Sequence, residues 1–600
     1  MQEDQAQPHY RLRILWVSLG VGFLFLACFG RLWYLQVTRT DYYARASERN
    51  YVRRIETSAP RGIIFDRKRR PLVDNIPSFS LFVKAECITD PERLARLMRD
   101  QFGLDPETVA RKAQECRQAV GTTDVLLKSN LSFEECAWVE AHRNSYPELS
   151  IEWMPDRKYL YGDLFCHIVG YTGEITEAEL NRSEDGRHRK GDLVGKTGME
   201  KYYNVWLEGA KGYRKISINS LGQVKAVLEE VQPRIGKDLA LTIDLDLQRT
   251  AFEAMADQKG ALVAMDPWTG EVLAMVSNPG FDSNQFIGRL KPEVWRALLD
   301  NPDKPLQNKA TQGVYAPGSV FKILVALAGL KEKTINPATM FSCNGAFELG
   351  GHVYHCWNKS GHGTVSLMPA IASSCNVYFY NAGLRLGIDK ICKWSNALGM
   401  GRKTGLDLPD EKPGLVPSSD WKKRRYGKAW YQGETVAAAI GQGMVGVTPL
   451  QVAYFMSCVS TNRITPAPHL AFRERAGDAG PVEEIVPGPI HRLLIRSMLN
   501  VVEEGTGKLA RVEGVNVAGK TGTAQVISTS TAERMADYKK RYRENSWFAC
   551  FAPAEKPAIA LAIIVEHGGH GGETAAPVAA RVLGEFFRLN PEKVYRGDDD

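Results

Sequence analysis

The sequence predicts an α+β protein in three parts: a single N-terminal transmembrane helix, an elongated mixed pedestal module, and a C-terminal domain built on an antiparallel sheet flanked by helices. Three observations predict it. After Arg11 and Arg13 the stretch ILWVSLGVGFLFLACFG is uncharged from Ile14 to Gly30, and with the apolar LWYLQV beyond Arg31 it is long enough to cross a bilayer. From about Tyr42 to Gly236 the chain is mixed and charged, without a long periodic core segment. From Gly236 onward a strand, a helix, a hairpin, a long helical block (315–460) and a final set of strands describe one antiparallel sheet with helices against it. The expected division is a tail at 1–13, an anchor at 14–37, a pedestal or assembly module at 38–235, the sheet-and-helix domain at 236–590 and a second tail at 591–600.

Composition sets the class. The chain has 600 residues, 44% of them hydrophobic and 24% charged; this is globular composition with length for several cores, and it excludes a disordered protein. The net charge of +7 is mild for this size. Basic residues gather in short clusters, WKKRRYGK (421–428) and YKKRYR (538–543), which read as solvated loops, the stronger alternative being contact with an anionic lipid, phosphate or glycan carrier. No nucleic-acid motif accompanies them, so no nucleic-acid partner is expected. Eleven scattered cysteines, an odd number, do not describe a disulfide framework.

The apolar N-terminal segment reads as an uncleaved anchor. A cleavable signal would need a shorter apolar core and a small-residue exit, whereas Trp33 and Tyr34 stand at the far boundary like interface anchors. FLAC (25–28) faintly resembles a lipoprotein box, but Phe25 is a poor first position and the apolar run continues past Cys28. Arg39, Arg45, Arg49, Arg53 and Arg54 after the span outnumber Arg11 and Arg13 before it. Charge counting therefore opposes export, although long domains translocate largely regardless of charge.

Within the pedestal, strands are expected around RGIIFDRKRRPLV (61–73), SFSLFVKA (78–85) and CHIVGYTGEI (166–175). In the C-terminal domain, GVNVAGKT (514–521) fits the phosphate-loop pattern G-x-x-x-x-G-K-[ST]. A phosphate loop needs an apolar strand before it and a helix after it. Here the flanks are EEGTGKLARVE and the Gly/Thr-rich GTAQVISTST, while Val515 and Val517 alternate with Asn516 and Ala518 into Lys520, Gly522 and Ala524. That is strand periodicity, so Lys520 should project from a strand, and a phosphate-loop nucleotide-binding protein is left as the remote alternative. KTG recurs at Lys196–Gly198 and Lys403–Gly405; both copies read as turns.

A nucleophile explains the lysine. In YAPGSVFKILVALAGL (315–330) Ser319 falls at a helix start, and Lys322 lies one turn on, among Val320, Phe321, Ile323, Leu324, Val325 and Leu327. A helix apolar nearly all round is buried. Burial disfavours the ammonium, which makes Lys322 a candidate general base for the Ser319 hydroxyl; the bland alternative is a lysine snorkelling off a core helix. Two further elements support the base. SSCNVYFY (373–380) supplies Ser374-Cys375-Asn376, an S-x-N, and Lys520-Thr521-Gly522-Thr523 supplies a K-T-G on a strand.

S-x-x-K, S-x-N and K-T-G in that order resemble the penicillin-recognising serine acyltransferases. With the anchor, PRGIIFDR (60–67), LTIDLDLQ (241–248), GQGMVGVTPLQVA (441–453) and WFACFAP (547–553), the chain resembles a class B penicillin-binding protein over nearly its whole length. HCWNKSGHG (355–363) and VEHGGHGG (565–572) make it most similar to the elongation branch, penicillin-binding protein 2. Arg69 departs from the glycine usual in that family's DRxG turn.

The resemblance implies a D,D-transpeptidase domain that cross-links peptidoglycan stem peptides and is inhibited by β-lactams. By it, Ser319 attacks the penultimate D-Ala carbonyl, Lys322 activates Ser319, and Ser374 with Asn376 and Lys520 relays the proton. Backbone N–H groups of Ser319 and Thr523 hold the oxyanion, the Thr521 and Thr523 hydroxyls with Lys520 bind the substrate carboxylate, and Gly522 lets the peptide lie along the strand edge. It also implies a single pass of the bacterial inner membrane with a periplasmic catalytic domain, and as partners a RodA-type glycosyltransferase and other elongation-complex proteins. A division-type relative, a β-lactamase and a penicillin sensor share these motifs. EAELN (177–181) matches a lactamase motif, but it precedes S-x-x-K.

No cofactor is expected for the chemistry. Cys343, Cys356, His362 and Cys375 form a soft ligand set suited to a structural, tetrahedral zinc that would pin the S-x-N loop. His352 and His355 are rival ligands, and free thiols or a cysteine pair are the competing reading.

Overall fold

The computed structural model describes residues 7–42, 51–83, 90–107, 109–111, 125–128, 130–182, 186–189, 191–218, 224–288, 290–472, 483–525 and 543–594. Arg45, Arg49 and most of the basic cluster at 538–543 lie outside the described residues, as do parts of both tails. The chain forms two compact units. One comprises Met1–Pro60, Ser78–Pro155 and Gly209–Ile235; the other comprises Arg61–Pro77, Asp156–Glu208 and Gly236–Asp600.

In the first unit, helix Gln7–Trp33 runs into a π-helical turn at Tyr34–Thr38. Tyr10–Thr38 is long and apolar enough to cross a membrane, and none of its most apolar window is buried. Strands Val52–Thr57, Gly212–Ile218 and Val224–Val231 form an antiparallel sheet. Helices Pro91–Phe102 and Phe133–Ala141 share a small core with Leu81, Val83 and Leu127. Asp90 caps the first helix and Ser132 closes a capping box on the second, so free N–H groups at both starts are satisfied.

The sequence suggests one division near Gly236, but in space 61–77 and 156–208 pack with the C-terminal residues. Two features bring them there. Ile64, Val73, Ile168, Val169, Met199 and Leu207 belong to the same core cluster as Phe321 and Leu324. Glu200, wholly buried, is clamped by Arg61 at 2.8 Å and Arg157 at 2.6 Å; a buried carboxylate is tolerated when paired in this way. CHIVGYTGEI is a helical turn, Cys166–Val169, and only then a strand, Thr172–Glu174, with Gly170 at φ 77° between them. Arg69 takes the left-handed conformation (φ 60°) that glycine would take freely. Asp66 holds this turn, its carboxylate accepting from Lys68 N, Arg70 N and Arg70 Nε at 2.8–2.9 Å.

The second unit is organised by a five-stranded antiparallel sheet in the order Val272–Asn278, Gly260–Met265, Ile559–Val565, Asn545–Ala552, Ala518–Ala524. Both faces are covered. Val263, Trp547 and Ala549 face the core that holds helices Phe321–Lys331 and Pro449–Thr461, while Leu262, Phe548 and Cys550 face helices Leu245–Ala254 and Ala575–Leu589. This explains why IALAIIV and ALVAM are continuously apolar although the sheet is antiparallel. The strand carrying Lys520 begins at Ala518, not at Val515, and lies at the sheet edge. The expected helical block is interrupted by two small two-stranded sheets, Phe341–Cys343 with Gly363–Val365 and, as a second hairpin-like pair within their connection, Ala346–Leu349 with His352–His355.

Candidate active site

Ser319 stands in a 3-10 turn, Gly318–Val320, that leads into helix Phe321–Lys331. Gly318 has φ 55°, and a Cβ on it would lie 2.7 Å from the Thr523 carbonyl oxygen. Only glycine permits this approach and this conformation together. The same Cβ position is 3.4 Å from Thr523 N, so the Thr523 amide lies close to the turn that carries Ser319. Ser319 itself is half-buried.

Every residue from Phe321 to Leu330 is buried, including Lys322 at 0% exposure. The Lys322 ammonium nitrogen donates to the Ser374 carbonyl at 2.8 Å, Ser374 Oγ at 3.1 Å and Asn376 Oδ1 at 2.7 Å. Burial pulls its pKa from the usual lysine value to about 7. Ser374 is held at φ 57°, a left-handed conformation that costs a non-glycine residue about 1–2 kcal/mol. Asn376 begins helix Asn376–Leu386.

Lys520 is also fully buried, and its pKa is driven well below the usual value by burial and by the Lys322 charge. Its Nζ donates to the Thr521 carbonyl at 3.1 Å. Lys520 thus sits within a strand paired with Asn545–Ala552, and the residues directly after it, Thr521–Ala524, continue that strand. The phosphate-loop reading of GVNVAGKT fails on that geometry. The Thr521 hydroxyl shares a 2.5 Å hydrogen bond with Thr506, a residue that sequence reasoning missed because EEGTGK has no recognisable pattern. Gly522 is sandwiched: a Cβ there would stand 3.0 Å from the Pro317 carbonyl and from Trp547 Cβ, while a Cβ on Gly571 would lie 2.5 Å from the Gly522 carbonyl.

Other supports were equally illegible. Tyr315 donates to Glu566 at 2.6 Å and Trp547 Nε1 donates to the Ala316 carbonyl at 3.0 Å, so one end of the two central strands holds the segment before Ser319. The other KTG copies take no part in this cluster. Lys196 is tied to Glu179, next to helix Gly198–Tyr202, and Lys403 is exposed in a loop. The lactamase-like EAELN lies in a short helix, Glu177–Arg182.

Cys343, Cys356, His362 and Cys375 bring their ligand atoms within 4.8 Å of one another. His362 Nδ1 is 3.6 Å from Cys343 Sγ and 3.5 Å from Cys356 Sγ. With Zn–S about 2.3 Å and Zn–N about 2.0 Å, a tetrahedral ion sets ligand edges of roughly that length, so the donor set and spacing fit zinc. The hydrogen bond from Cys375, with backbone N–H groups, lowers the Cys356 thiol, and the same pairing raises Cys375. His352 and His355 are exposed and not in the cluster; the His355 carbonyl instead accepts from Asn376 Nδ2 at 3.3 Å and Tyr380 at 3.1 Å. Trp357 Nε1 bonds the Ser373 carbonyl at 3.0 Å, tying the ligand-bearing loop to the S-x-N turn.

A buried lysine one helical turn from Ser319, the S-x-N turn that it bonds, and a lysine-bearing edge strand of the antiparallel sheet together make a candidate serine acyltransferase site. The family comparison agrees: residues 260–584 match the penicillin-binding protein transpeptidase domain and residues 56–241 match the penicillin-binding protein dimerisation domain. The chain belongs to the penicillin-binding proteins, in the class B branch that contains penicillin-binding protein 2. It is 35% identical to the peptidoglycan D,D-transpeptidase MrdA of Acinetobacter baumannii, over 98% of this chain and 89% of that one. Among solved structures it is similar to penicillin-binding protein 2 of Helicobacter pylori in complex with MreC: TM-score 0.79, 30% identity, 90% of this chain and 100% of that one. A chain of a peptidoglycan synthase complex, described as coordinating polymerisation and crosslinking, gives TM-score 0.69 and 30% identity, with 96% and 98% coverage.

Proposed function

We propose that this chain is an elongation-type peptidoglycan D,D-transpeptidase that works through a Ser319 acyl-enzyme and is blocked by β-lactams. The single observation that carries the mechanism is the buried Lys322, whose nitrogen reaches both Ser374 and Asn376. A lysine whose neutral form is well populated near pH 7, beside the turn that carries Ser319, takes the Ser319 proton as Oγ attacks the penultimate D-Ala carbonyl of a stem peptide. The oxyanion is held by the Ser319 and Thr523 amides. The proton passes from Lys322 to Ser374 and on to the leaving D-Ala nitrogen, and the C–N bond breaks. The acceptor amine then attacks the ester, its proton returning through Ser374 to Ser319 Oγ. Lys520 and the Thr521 and Thr523 hydroxyls bind the terminal carboxylate, and the exposed edge of Ala518–Ala524 aligns the peptide backbone.

The relatives support the setting. The helix at Tyr10–Thr38 is a single-pass anchor, with the catalytic unit on the periplasmic side of the inner membrane, where the substrate is. Elongation-complex proteins are the partners, MreC-like on the precedent of the Helicobacter pylori complex. A RodA-type glycosyltransferase would make the strands that this enzyme joins. Cys343, Cys356, His362 and Cys375 would hold one zinc, which supplies no chemistry to acyl transfer and serves as a cross-link under the S-x-N turn.

The deciding experiment is incubation with a fluorescent penicillin and mass mapping, beside Ser319→Ala. A persistent adduct on Ser319, absent from the variant, is the expected result. Rapid turnover of the adduct would identify a lactamase, and no adduct on folded protein would overturn the reading.

A further inference from the structure

A cavity of about 850 Å³ lies beside the catalytic cluster and has no part in the chemistry above. His352 and Tyr354 of the second hairpin line one side; Trp430, Tyr431 and Glu434 line the other, with Met444 also in the wall. Lys422 donates to both Glu434 oxygens at 2.6 Å and its nitrogen lies 4.5 Å from the Tyr431 ring centre. Helix Ser419–Tyr426 is therefore packed on the cavity wall. The same helix carries Lys423, Arg424 and Arg425, all exposed and, among the described residues, without a carboxylate partner. Of these, Arg425 stands one helical turn from Lys422 and shares its face.

The lining is continuous in sequence with the catalytic residues at two points. Met444 follows Gln442, whose Nε2 donates to the Thr523 carbonyl at 3.4 Å. Tyr354 precedes His355, whose carbonyl holds Asn376. The Tyr354 link sets the cavity toward the S-x-N turn and the Gln442 link sets it toward Thr523, so it adjoins both sides of the site, with the donor peptide expected along the Ala518–Ala524 edge. By microscopic reversibility the incoming amine gives up its proton to the relay that protonated the leaving amine, which is Ser374. A volume in the range of whole-ligand pockets also exceeds what an amine alone requires.

Resting on the transpeptidase reading, we infer that this cavity is the subsite for the acyl-acceptor strand: a disaccharide carrying an anionic stem peptide. Its sugar faces stack on Trp430, Tyr431 and Tyr354, and a carboxylate pairs with Arg425. In the step it serves, the ester between Ser319 Oγ and the donor carbonyl breaks, an amide forms to the acceptor nitrogen, and that nitrogen's proton ends on Ser319 Oγ.

The test uses full-length protein, a D-Ala-D-Ala stem-peptide thioester as donor, and two acceptors: a disaccharide–tetrapeptide with a free side-chain amine, and a free D-amino acid. Tyr431, 62% exposed, and the exposed Arg425 can be changed without touching the core. Tyr431→Ala and Arg425→Glu should each cut the preference for the disaccharide–peptide at least tenfold. Fluorescent-penicillin acylation and transfer to the free D-amino acid should stay within twofold. An unchanged preference overturns the inference, and so does a loss of donor or penicillin acylation, which would assign the cavity to the donor. Wild-type protein that never acylates Ser319 would instead overturn the transpeptidase reading itself.

Discussion

Lys322 Nζ lies 2.7 Å from Asn376 Oδ1, so two motifs 54 residues apart in the chain share one hydrogen bond inside the core. That bond orients the lysine, and burial sets its charge. With the pKa lowered from 10.5 to about 7, the neutral base is the minor form below pH 7 and the major form above it. Ser319 acylation by a penicillin should therefore rise about tenfold per pH unit below 7 and level off above about pH 8. A flat profile between pH 5.5 and 8.5 would contradict Lys322 as the base.

Lys322→Met keeps the volume of a buried, unbranched side chain and removes the base. Acylation should fall about 10²- to 10⁴-fold, the usual worth of general-base catalysis, while thermal unfolding shows a protein as stable as the parent or more so. Stopped-flow acylation and calorimetry separate the two effects.

Gly318→Ala places a methyl 2.7 Å from the Thr523 carbonyl and forces a non-glycine residue to φ 55°. The strain of the backbone alone is about 1 kcal/mol or more. The expected result is a lower melting temperature together with slower acylation, because the strand carrying Thr523 must retreat from Ser319. A variant that acylates at the parental rate would show that the Thr523 amide need not lie close to the turn that carries Ser319.

Thr506→Val removes the 2.5 Å partner of the Thr521 hydroxyl without changing the side-chain shape. The second-order acylation rate with carboxylate-bearing substrates should fall about tenfold, equivalent to ~1.4 kcal/mol, the scale of one good hydrogen bond. Melting temperature should move little.

Metal analysis of purified protein should find about one zinc per chain. Cys356→Ser should lose it and lower the melting temperature by about 5 °C or more, with slower acylation because the left-handed turn at Ser374 loses its anchor. Zinc-free protein from metal-replete preparations would leave the four residues as packed thiols and an imidazole.

Much of this protein could be read in one dimension, because its chemistry depends on residue types at short spacing. Ser319 and Lys322 are one helical turn apart, the apolar run around them announces burial, and the alternation through Lys520 marks a strand. A membrane-length apolar segment is likewise a local property. What only the tertiary structure decided are relations between distant segments. It assigned 61–77 and 156–208 to the unit of the catalytic sheet, through the Arg61–Glu200–Arg157 cluster. It paired Thr506 with Thr521 and Tyr315 with Glu566, contacts between residues with no shared pattern. It chose His362 over His352 and His355 as the imidazole beside the thiols. Local sequence sets what a side chain can do, but burial, left-handed turns and ligand geometry arise only when the chain folds back on itself, since they depend on which distant backbone fills the space beside each residue.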